Sequence, residues 1–167
     1  NQPMTRSRTA RREFMKRCLA MGSVALPVFW ARRLPASEPA RERLRVGCIG
    51  VGGRGTLVGN VACALGEKTA CADVDRQRAE RFAAGGPCAA YTDYRALLDR
   101  DDVDVVTVGT PDHWHTKVII DAVNAGKDVY SEKPLTLTVD EGKKLCRAVE
   151  RTGRVVQVGT QQRSSPQ

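Results

Sequence analysis

Three features of the sequence predict a parallel α/β fold. Short apolar runs alternate with amphipathic segments from Leu44 onward. A glycine-rich turn directly follows the first apolar run, and a polar stretch with two prolines precedes it. A chain of 167 residues is long enough to bury one proper core. Strands that alternate with helices form a parallel sheet covered by helices, so we expect a doubly wound α/β domain.

The predicted elements follow one another in strict alternation. We place strands near 44–49, 69–74, 89–91, 104–109, 128–131 and 155–159, and helices near 54–65, 76–84, 93–100, 115–125 and 138–151. The last helix opens on Thr138 with Glu141 three residues later, which is a capping-box signature. Gly126 and Gly153 follow predicted helix ends, where a left-handed residue is needed.

The first strand ends in Gly50, Gly52 and Gly55, with G-x-G-x-x-G spacing. The first glycine permits a tight turn, the second lets the backbone approach a pyrophosphate, and the third lets the helix pack close to the strand. We expect these residues, with Gly53 and Arg54 between them, to hold the phosphates of a dinucleotide in a Rossmann-type fold. An apolar face is predicted on the helix that follows: Leu57, Val58, Val61, Ala62 and Leu65.

Asp73 lies within the second strand-like run, 69–74, and follows Gly55 by 18 residues. A carboxylate at this position accepts hydrogen bonds from the ribose hydroxyls of NAD and repels the 2′-phosphate of NADP. We therefore predict NAD, without excluding NADP, because Arg76 is close enough in sequence to weaken the preference.

Thr110, Pro111, His113, Trp114 and His115 follow the predicted strand 104–109. Ligands of open α/β sheets lie at this carboxyl edge, so we expect these residues to border the cofactor. His-x-His can also ligate a metal, but the chain has only these two histidines and no neighbouring Cys/Glu cluster. We therefore predict no metal site.

Glu132 and Lys133 follow the next strand at the same edge. A partly buried lysine beside a nicotinamide can exchange a proton with a substrate hydroxyl, so Lys133 is the candidate catalytic residue. The alternative is a solvated lysine paired with Glu132, and position alone does not separate the two.

The formal net charge of +8 is concentrated at the N-terminus. Residues 1–45 hold 11 Lys/Arg and 3 Asp/Glu, and residues 46–167 hold 16 of each sign. The predicted domain is neutral and lacks a basic stripe interleaved with aromatic residues. We therefore predict no nucleic-acid partner.

Residues 1–33 resemble a twin-arginine (Tat) export signal. Arg11 and Arg12 precede Phe14 and Lys16, and a short apolar segment and two further arginines follow. This resemblance implies export through the Tat machinery to the periplasm or another extracytoplasmic site. The alternative is a basic tail on a cytoplasmic protein. Residues 34–43 are predicted to be a linker.

Six cysteines show no C-x-x-C spacing. Five remain after the tail, an odd number, and Cys48, Cys71 and Cys146 fall within predicted elements. We predict small buried side chains with no disulfide framework and no zinc site.

Six motifs in this order resemble the N-terminal half of the Gfo/Idh/MocA oxidoreductases. They are the glycine turn, Asp73-Val-Asp75, Tyr94–Leu98, Thr110–His115, Glu132-Lys-Pro134 and Val158–Arg163, which includes Gln161. The resemblance spans residues 44–163. It implies an NAD(P)-binding domain in which Lys133 serves the active site and Gln161 borders the cofactor, with a sugar or polyol as substrate.

The same family carries its other catalytic residues and its oligomer interface in a C-terminal α/β domain. We expect that domain to be missing, with 164–167 as its start, so that this fragment alone is inactive. One alternative is an NAD-dependent glycosidase of the same superfamily, although Lys133 favours a dehydrogenase. Another is a non-catalytic dinucleotide-binding module.

Overall fold

The computed structural model describes residues 43–160, which form six strands and five helices. The strands are β1 (Arg45–Ile49), β2 (Glu67–Ala72), β3 (Ala89–Tyr91), β4 (Val105–Val108), β5 (Asp128–Ser131) and β6 (Val156–Val158). The helices are α1 (Gly53–Leu65), α2 (Arg76–Ala83), α3 (Tyr94–Leu98), α4 (Asp112–Asn124) and α5 (Val139–Thr152). The predicted Tat-type segment, the linker up to residue 42, Gln161 and residues 162–167 lie outside the described residues.

The six strands form one sheet in the order β3-β2-β1-β4-β5-β6, and every neighbouring pair is parallel. The chain winds outward from β1 to β3, then returns to the middle and winds outward from β4 to β6. The strand order reverses between β1 and β4. The connections that follow these two strands therefore leave a crevice at the carboxyl ends of the strands. The predicted doubly wound Rossmann-type fold is confirmed.

The two faces of the sheet carry separate hydrophobic clusters. The larger cluster packs residues of α3, α4 and α5 against one face, and includes Val106, Val108 and Ile119. The smaller cluster packs residues of α1 and α2 against the other face around Cys48 and Cys71. Alternate residues of each buried strand supply the two clusters, because successive strand side chains point to opposite faces.

Most predicted boundaries lie within two residues of the observed ones, and two differences matter for function. β2 ends at Ala72, so Asp73 follows the strand instead of lying within it. α4 begins at Asp112, three residues before the predicted start, because Pro111 supplies a favourable backbone angle at its N-cap. Gly126 and Gly153 have φ of 77° and 65°, as predicted. The Thr138–Glu141 capping box is also present.

The predicted apolar face of α1 is wrong in part: Val58 and Ala62 are partly buried, and Ala62 packs against the smaller cluster. Leu57, Val61 and Leu65 are exposed, and the buried residues of this helix are Gly55 and Gly59. A Cβ on Gly59 would lie 3.1 Å from the Cys48 Sγ on β1, so the helix approaches the sheet through its glycines. The larger apolar side chains consequently face away from the sheet.

The cysteine prediction is correct for two residues and wrong for a third. Cys48 and Cys71 are completely buried on neighbouring strands. Cys146 is exposed on α5, because Leu145 and Ala148 form the buried face of that helix. Within residues 43–160, no helix is long and apolar enough to span a membrane.

Candidate functional site

A cleft of about 340 Å³ opens at the carboxyl edge of the sheet, where the strand order reverses. Eight of the residues predicted to bind a cofactor line it: Gly50, Gly52, Gly53, Arg54, Asp73, Thr110, Pro111 and Trp114. These residues come from three connections that follow β1, β2 and β4. The sheet topology thus brings together segments that are up to 64 positions apart, from Gly50 to Trp114.

Three glycine backbones meet where α1 approaches the sheet, and two of them, Gly50 and Gly109, line the cleft. Gly50 adopts φ of +76° and donates its N–H to the carbonyl of Ala72 at 2.8 Å. A Cβ on Gly55 would lie only 1.8 Å from the Gly50 oxygen. A Cβ on Gly109 would lie 2.5 Å from the Gly55 Cα. Side chains at these positions would force α1 away from the sheet, so the turn requires glycine.

Gly109 did not emerge as a site residue from the sequence. The sequence feature that could have identified it is its position directly between a buried strand and Thr110-Pro111. Such a glycine marks a close approach of another backbone, and the approaching backbone here is the first turn of α1.

One wall of the cleft carries both an acidic and a basic side chain. Asp73 is buried and accepts the N–H of Asp75 at 2.9 Å, which fixes its carboxylate at the end of β2. Arg76 turns away to Glu80 at 2.7 Å and does not line the cleft. Arg78, on the same helix, does line it, and its Nε lies 3.3 Å from Asp75. Arg78 follows Asp73 by five positions, a spacing for which no specific sequence signal exists.

The opposite wall contains a buried hydroxyl without a partner. Thr110 Oγ1 has no hydrogen-bond partner among residues 43–160, although the side chain borders the cleft. An unpaired buried hydroxyl costs free energy, and in native structures it commonly marks a ligand or water position. Trp114 adds an aromatic surface on the first turn of α4.

The two predicted histidines occupy different environments. His113 is exposed, with its ring centroid 6.2 Å from that of Trp114. His115 is almost completely buried and does not line the cleft. Its Nδ1 lies 2.6 Å from the Pro134 oxygen, and its Nε2 lies 2.9 Å from the Thr110 oxygen. His115 therefore connects the loop after β4 to the segment after β5.

Glu132 is buried behind the cleft, where it pairs with Arg54. The Arg54 Nε donates to Glu132 Oε1 at 2.9 Å, and the Lys133 backbone N–H donates to Oε2 at 3.3 Å. The Glu132 carboxylate thus engages Arg54 instead of the ammonium group predicted by the ion-pair alternative. Lys133 is exposed, so residues 43–160 do not supply the partial burial that we predicted for it.

Tyr94 also lines the cleft and was absent from the predicted site. Its hydroxyl donates to Asp121 Oδ2 at 2.6 Å, and Lys117 donates to the same oxygen at 2.8 Å. Burial, together with the hydrogen bond to Asp121, raises the pKa of Tyr94, so its phenol stays protonated. Tyr94 lies within a sequence motif that we used only for the family resemblance.

The donor set suits a nucleotide better than a metal ion. No group of three or more His, Cys, Asp or Glu side chains comes together within residues 43–160. The cleft instead offers a glycine turn at the start of a helix, a fixed carboxylate 18 residues beyond it, and an unsatisfied hydroxyl. The glycine turn favours phosphate, the carboxylate favours ribose hydroxyls, and the hydroxyl favours a polar ligand group. The fold and cleft define a dinucleotide-binding α/β domain.

Comparison with known proteins identifies the family. A model of the Gfo/Idh/MocA proteins, described as an oxidoreductase family with an NAD-binding Rossmann fold, matches residues 44–160. The chain belongs to this family, and its described part is an NAD(P)-binding Rossmann domain.

Similar proteins have been named for carbohydrate chemistry. An α-N-acetylgalactosaminidase of Shewanella oneidensis is 40% identical, over 68% of this chain and 28% of that protein. A glycosyl hydrolase family 109 protein of Saccharopolyspora erythraea is 39% identical, with 69% and 28% covered. The chain therefore spans less than a third of the length of these curated relatives.

Solved structures show the same fold. An NAD-binding oxidoreductase from Klebsiella pneumoniae matches with a TM-score of 0.67 and 32% identity, covering 74% of this chain and 36% of that one. A 3-ketoreductase from Actinomadura kijaniata, crystallised with NADP and TDP-benzene, matches with a TM-score of 0.64 and 35% identity, covering 70% and 37%.

Proposed function

We propose that the chain is the NAD-binding part of an exported enzyme that oxidises a sugar or polyol at a secondary alcohol carbon. The family and its oxidoreductase structures support the reaction class. The carbohydrate-directed names of the relatives support the substrate class. The whole enzyme is longer than this chain if it resembles the relatives, and substrate contacts would then lie outside residues 43–160.

The observation that carries this proposal is the environment of Lys133. Its backbone N–H is held by Glu132, and Glu132 is held by Arg54 at the start of α1. The position of Lys133 is thereby fixed relative to the glycine turn, while its ammonium group is exposed. A substrate hydroxyl placed above the cleft can give its proton to a neutral Lys133, or receive one from the ammonium form in the reverse direction.

The residues lining the cleft fit a nicotinamide dinucleotide, which when bound supplies the acceptor for the hydride. The first turn of α1 faces the phosphates, with backbone N–H groups that no earlier helical turn can bond. Asp73 accepts the ribose hydroxyls. The Thr110 hydroxyl is free to bond a polar group of the ligand.

NAD is the expected cofactor because Asp73 is buried and held by the Asp75 backbone. A 2′-phosphate beside this carboxylate brings like charges together. Arg78 lines the same wall but is paired with Asp75, so part of its charge is already balanced. Calorimetric titration of the chain with NAD and with NADP tests the assignment. Tighter binding of NADP would overturn it.

A second candidate is a glycosidase that keeps its NAD throughout the reaction. The observation that favours it is the set of glycosyl hydrolase family 109 relatives at 37–40% identity. The full-length protein separates the two candidates. A dehydrogenase produces reduced nicotinamide in proportion to the sugar consumed, whereas the glycosidase releases the phenol of an aryl glycoside without added cofactor. Should both assays be negative while NAD binds, the chain belongs to a non-catalytic binding module.

Export through the Tat pathway is part of the proposal and rests on Arg11, Arg12 and the apolar segment behind them. Tat substrates cross the membrane folded, so the cofactor would be bound before export. Replacing both arginines with lysine should retain the protein in the cytoplasm. Fractionation that finds the unaltered protein there with its tail intact would contradict export. If the full-length protein resembles the family, oligomers are expected to assemble through a C-terminal α/β domain.

A further inference from the structure

Four cysteines lie together in the smaller hydrophobic cluster, beneath α1 and α2. Cys48 on β1 and Cys71 on β2 are paired in the sheet register and are completely buried. Cys63 on α1 and Cys88 before β3 are half-buried. Each fully buried strand thiol thus interacts with a half-buried one, Cys48 with Cys63 and Cys71 with Cys88. The proposed cofactor chemistry uses none of them.

Cys48 and Cys63 are in contact through their sulfur atoms. Their Sγ atoms are 3.8 Å apart, and both cysteines are unbridged thiols. A disulfide bond is about 2.05 Å long, so the two sulfur atoms must approach by about 1.8 Å. Rotation of two short side chains covers a distance of this size, and both sulfurs already face each other between the strand and the helix.

The two thiols of this pair differ in exposure and in charge. An oxidant reaches Cys63 first, because Cys48 has no exposed surface. The hydrogen bond from Cys48 and the charge of Lys68 lower the pKa of Cys63, whereas hydrogen bonding to Cys63 and burial raise the pKa of Cys48. Lys68 is held nearby by the Phe82 carbonyl, which accepts from its Nζ at 2.6 Å. Cys63 is therefore the more reactive sulfur, and Cys48 keeps its proton.

We propose that Cys48 and Cys63 form an oxidation site that a peroxide converts to a disulfide. The Cys63 thiolate attacks one oxygen of hydrogen peroxide, the O–O bond breaks, and hydroxide leaves with a proton from solvent as water. The resulting sulfenic acid is attacked by the Cys48 sulfur. Its S–O bond breaks, and the hydroxyl departs with the Cys48 proton as a second water. Two thiols are oxidised and one peroxide is reduced to two waters.

The bond would join β1 to α1. Cys48 lies two residues before Gly50, and Cys63 lies in the C-terminal half of α1. Oxidation would therefore fasten the helix to the sheet covalently. This inference does not depend on the proposed dehydrogenase activity, because it uses only the thiols and their surroundings.

Peptide mapping of the full chain tests the proposal directly. The reduced, folded chain is treated with hydrogen peroxide, alkylated and digested with trypsin, which places Cys48 in 46–54 and Cys63 in 55–68. We expect one linked pair of these two peptides, lighter by two hydrogen atoms than their sum and separated by dithiothreitol. Cys63→Ser should abolish the linked pair and leave Cys48 reduced.

Two further variants secure the interpretation. In Cys48→Ala, the sulfenic acid on Cys63 should persist and be trapped by dimedone. Cys146→Ser removes an exposed thiol on α5 and should leave the linked pair unchanged. Absence of the linked pair while Cys146 becomes oxidised would overturn the proposal. So would a linked pair that joins Cys63 to any cysteine other than Cys48.

Discussion

Arg54 and Glu132 are joined across the sheet although 78 positions separate them. The guanidinium stands on the first turn of α1, and the carboxylate, which is only 4% exposed, follows β5. Two motifs that the sequence presents as independent are therefore one unit. Through this pair, the glycine turn is connected to the residue before Lys133.

A double-mutant cycle should detect this connection. Charge-assisted pairs with one buried partner are stronger than exposed ones, so Arg54→Ala and Glu132→Gln should couple by about 1–3 kcal/mol in unfolding free energy. The control pair, Arg95 with Asp93, is exposed at 70% and 46%, and should couple more weakly because solvent screens its charges. Urea denaturation measures both cycles. Additive effects of Arg54→Ala and Glu132→Gln would contradict the connection.

Gly55→Ala should abolish NAD binding and destabilise the chain. The new Cβ would lie 1.8 Å from the Gly50 oxygen, so α1 must move and the turn must open. Gly142→Ala is the matched control, since its Cβ meets only the Thr136 hydroxyl at 3.7 Å within helix α5. This control should keep NAD affinity and gain about 0.5–1 kcal/mol from helix propensity. Calorimetry and thermal unfolding measure the two effects, and equal NAD affinity in both variants would refute the close-approach argument.

Lys133→Ala in the full-length enzyme should lower turnover by roughly 10²–10⁴, as loss of a positioned acid–base group does. NAD affinity should stay within a few-fold, because Lys133 does not line the cleft. Lys144→Ala, an exposed lysine on α5, is the control and should leave turnover unchanged. Steady-state kinetics decide the matter. Unchanged turnover in Lys133→Ala would mean that Lys133 is only a solvated surface residue.

His115→Ala should cost about 1–3 kcal/mol of stability, because buried carbonyl oxygens of Thr110 and Pro134 lose an N–H donor. A neutral imidazole can donate to one of these carbonyls at a time, and a protonated one can donate to both. His113→Ala, two residues away and exposed, should change stability by less than about 0.5 kcal/mol. Similar unfolding midpoints for the two variants would show that His115 does not connect the two loops.

Asp104 should stabilise the fold in a manner that depends on pH. The Arg45 guanidinium and backbone N–H donate to its carboxylate and lower the pKa of Asp104 to about 2, whereas an unfolded aspartate titrates near about 3.9. A depressed pKa means that the contribution is fully present above about pH 4 and is lost as the pH falls towards 2.

Asp104→Asn should therefore cost about 1 kcal/mol at neutral pH, discounted for the partial exposure of the pair. The difference from the unaltered chain should shrink as the solution approaches pH 2. Asp101→Asn, exposed before β4, serves as the control with no comparable change. A difference that stays constant from neutral to acid pH would rule out the charge as its source.

The backbone of this fold could be predicted from the sequence, and several side-chain relationships could not. Alternating apolar runs determine which segments are strands, and the glycine spacing determines where the first turn lies. The Arg54–Glu132 pair depends on the direction of two side chains across the sheet, which no local pattern encodes. Arg78 reaches the cleft because it sits one helical turn after Asp75, whereas the nearer Arg76 bonds Glu80.

The apolar residues of α1 show a second limit of sequence reasoning. Leu57, Val61 and Leu65 have the spacing of a buried face, yet small residues occupy the side that packs. Close backbone contact at Gly55 and Gly59 excludes larger side chains from that side. Hydrophobic periodicity indicates where apolar groups lie on a helix, but it does not indicate how closely the helix must approach the sheet.

Glycine backbone lines one part of the cleft, and charged side chains line another. Gly50, Gly55 and Gly109 fix the distance between helix and sheet without offering a side chain that could be exchanged. Asp73 and Arg78, in contrast, line the cleft with charged groups that substitution can reverse or remove. Coenzyme preference in this protein can therefore be altered by substituting the side chains that follow β2. The three glycines are kept unchanged, because they set the distance between α1 and the sheet.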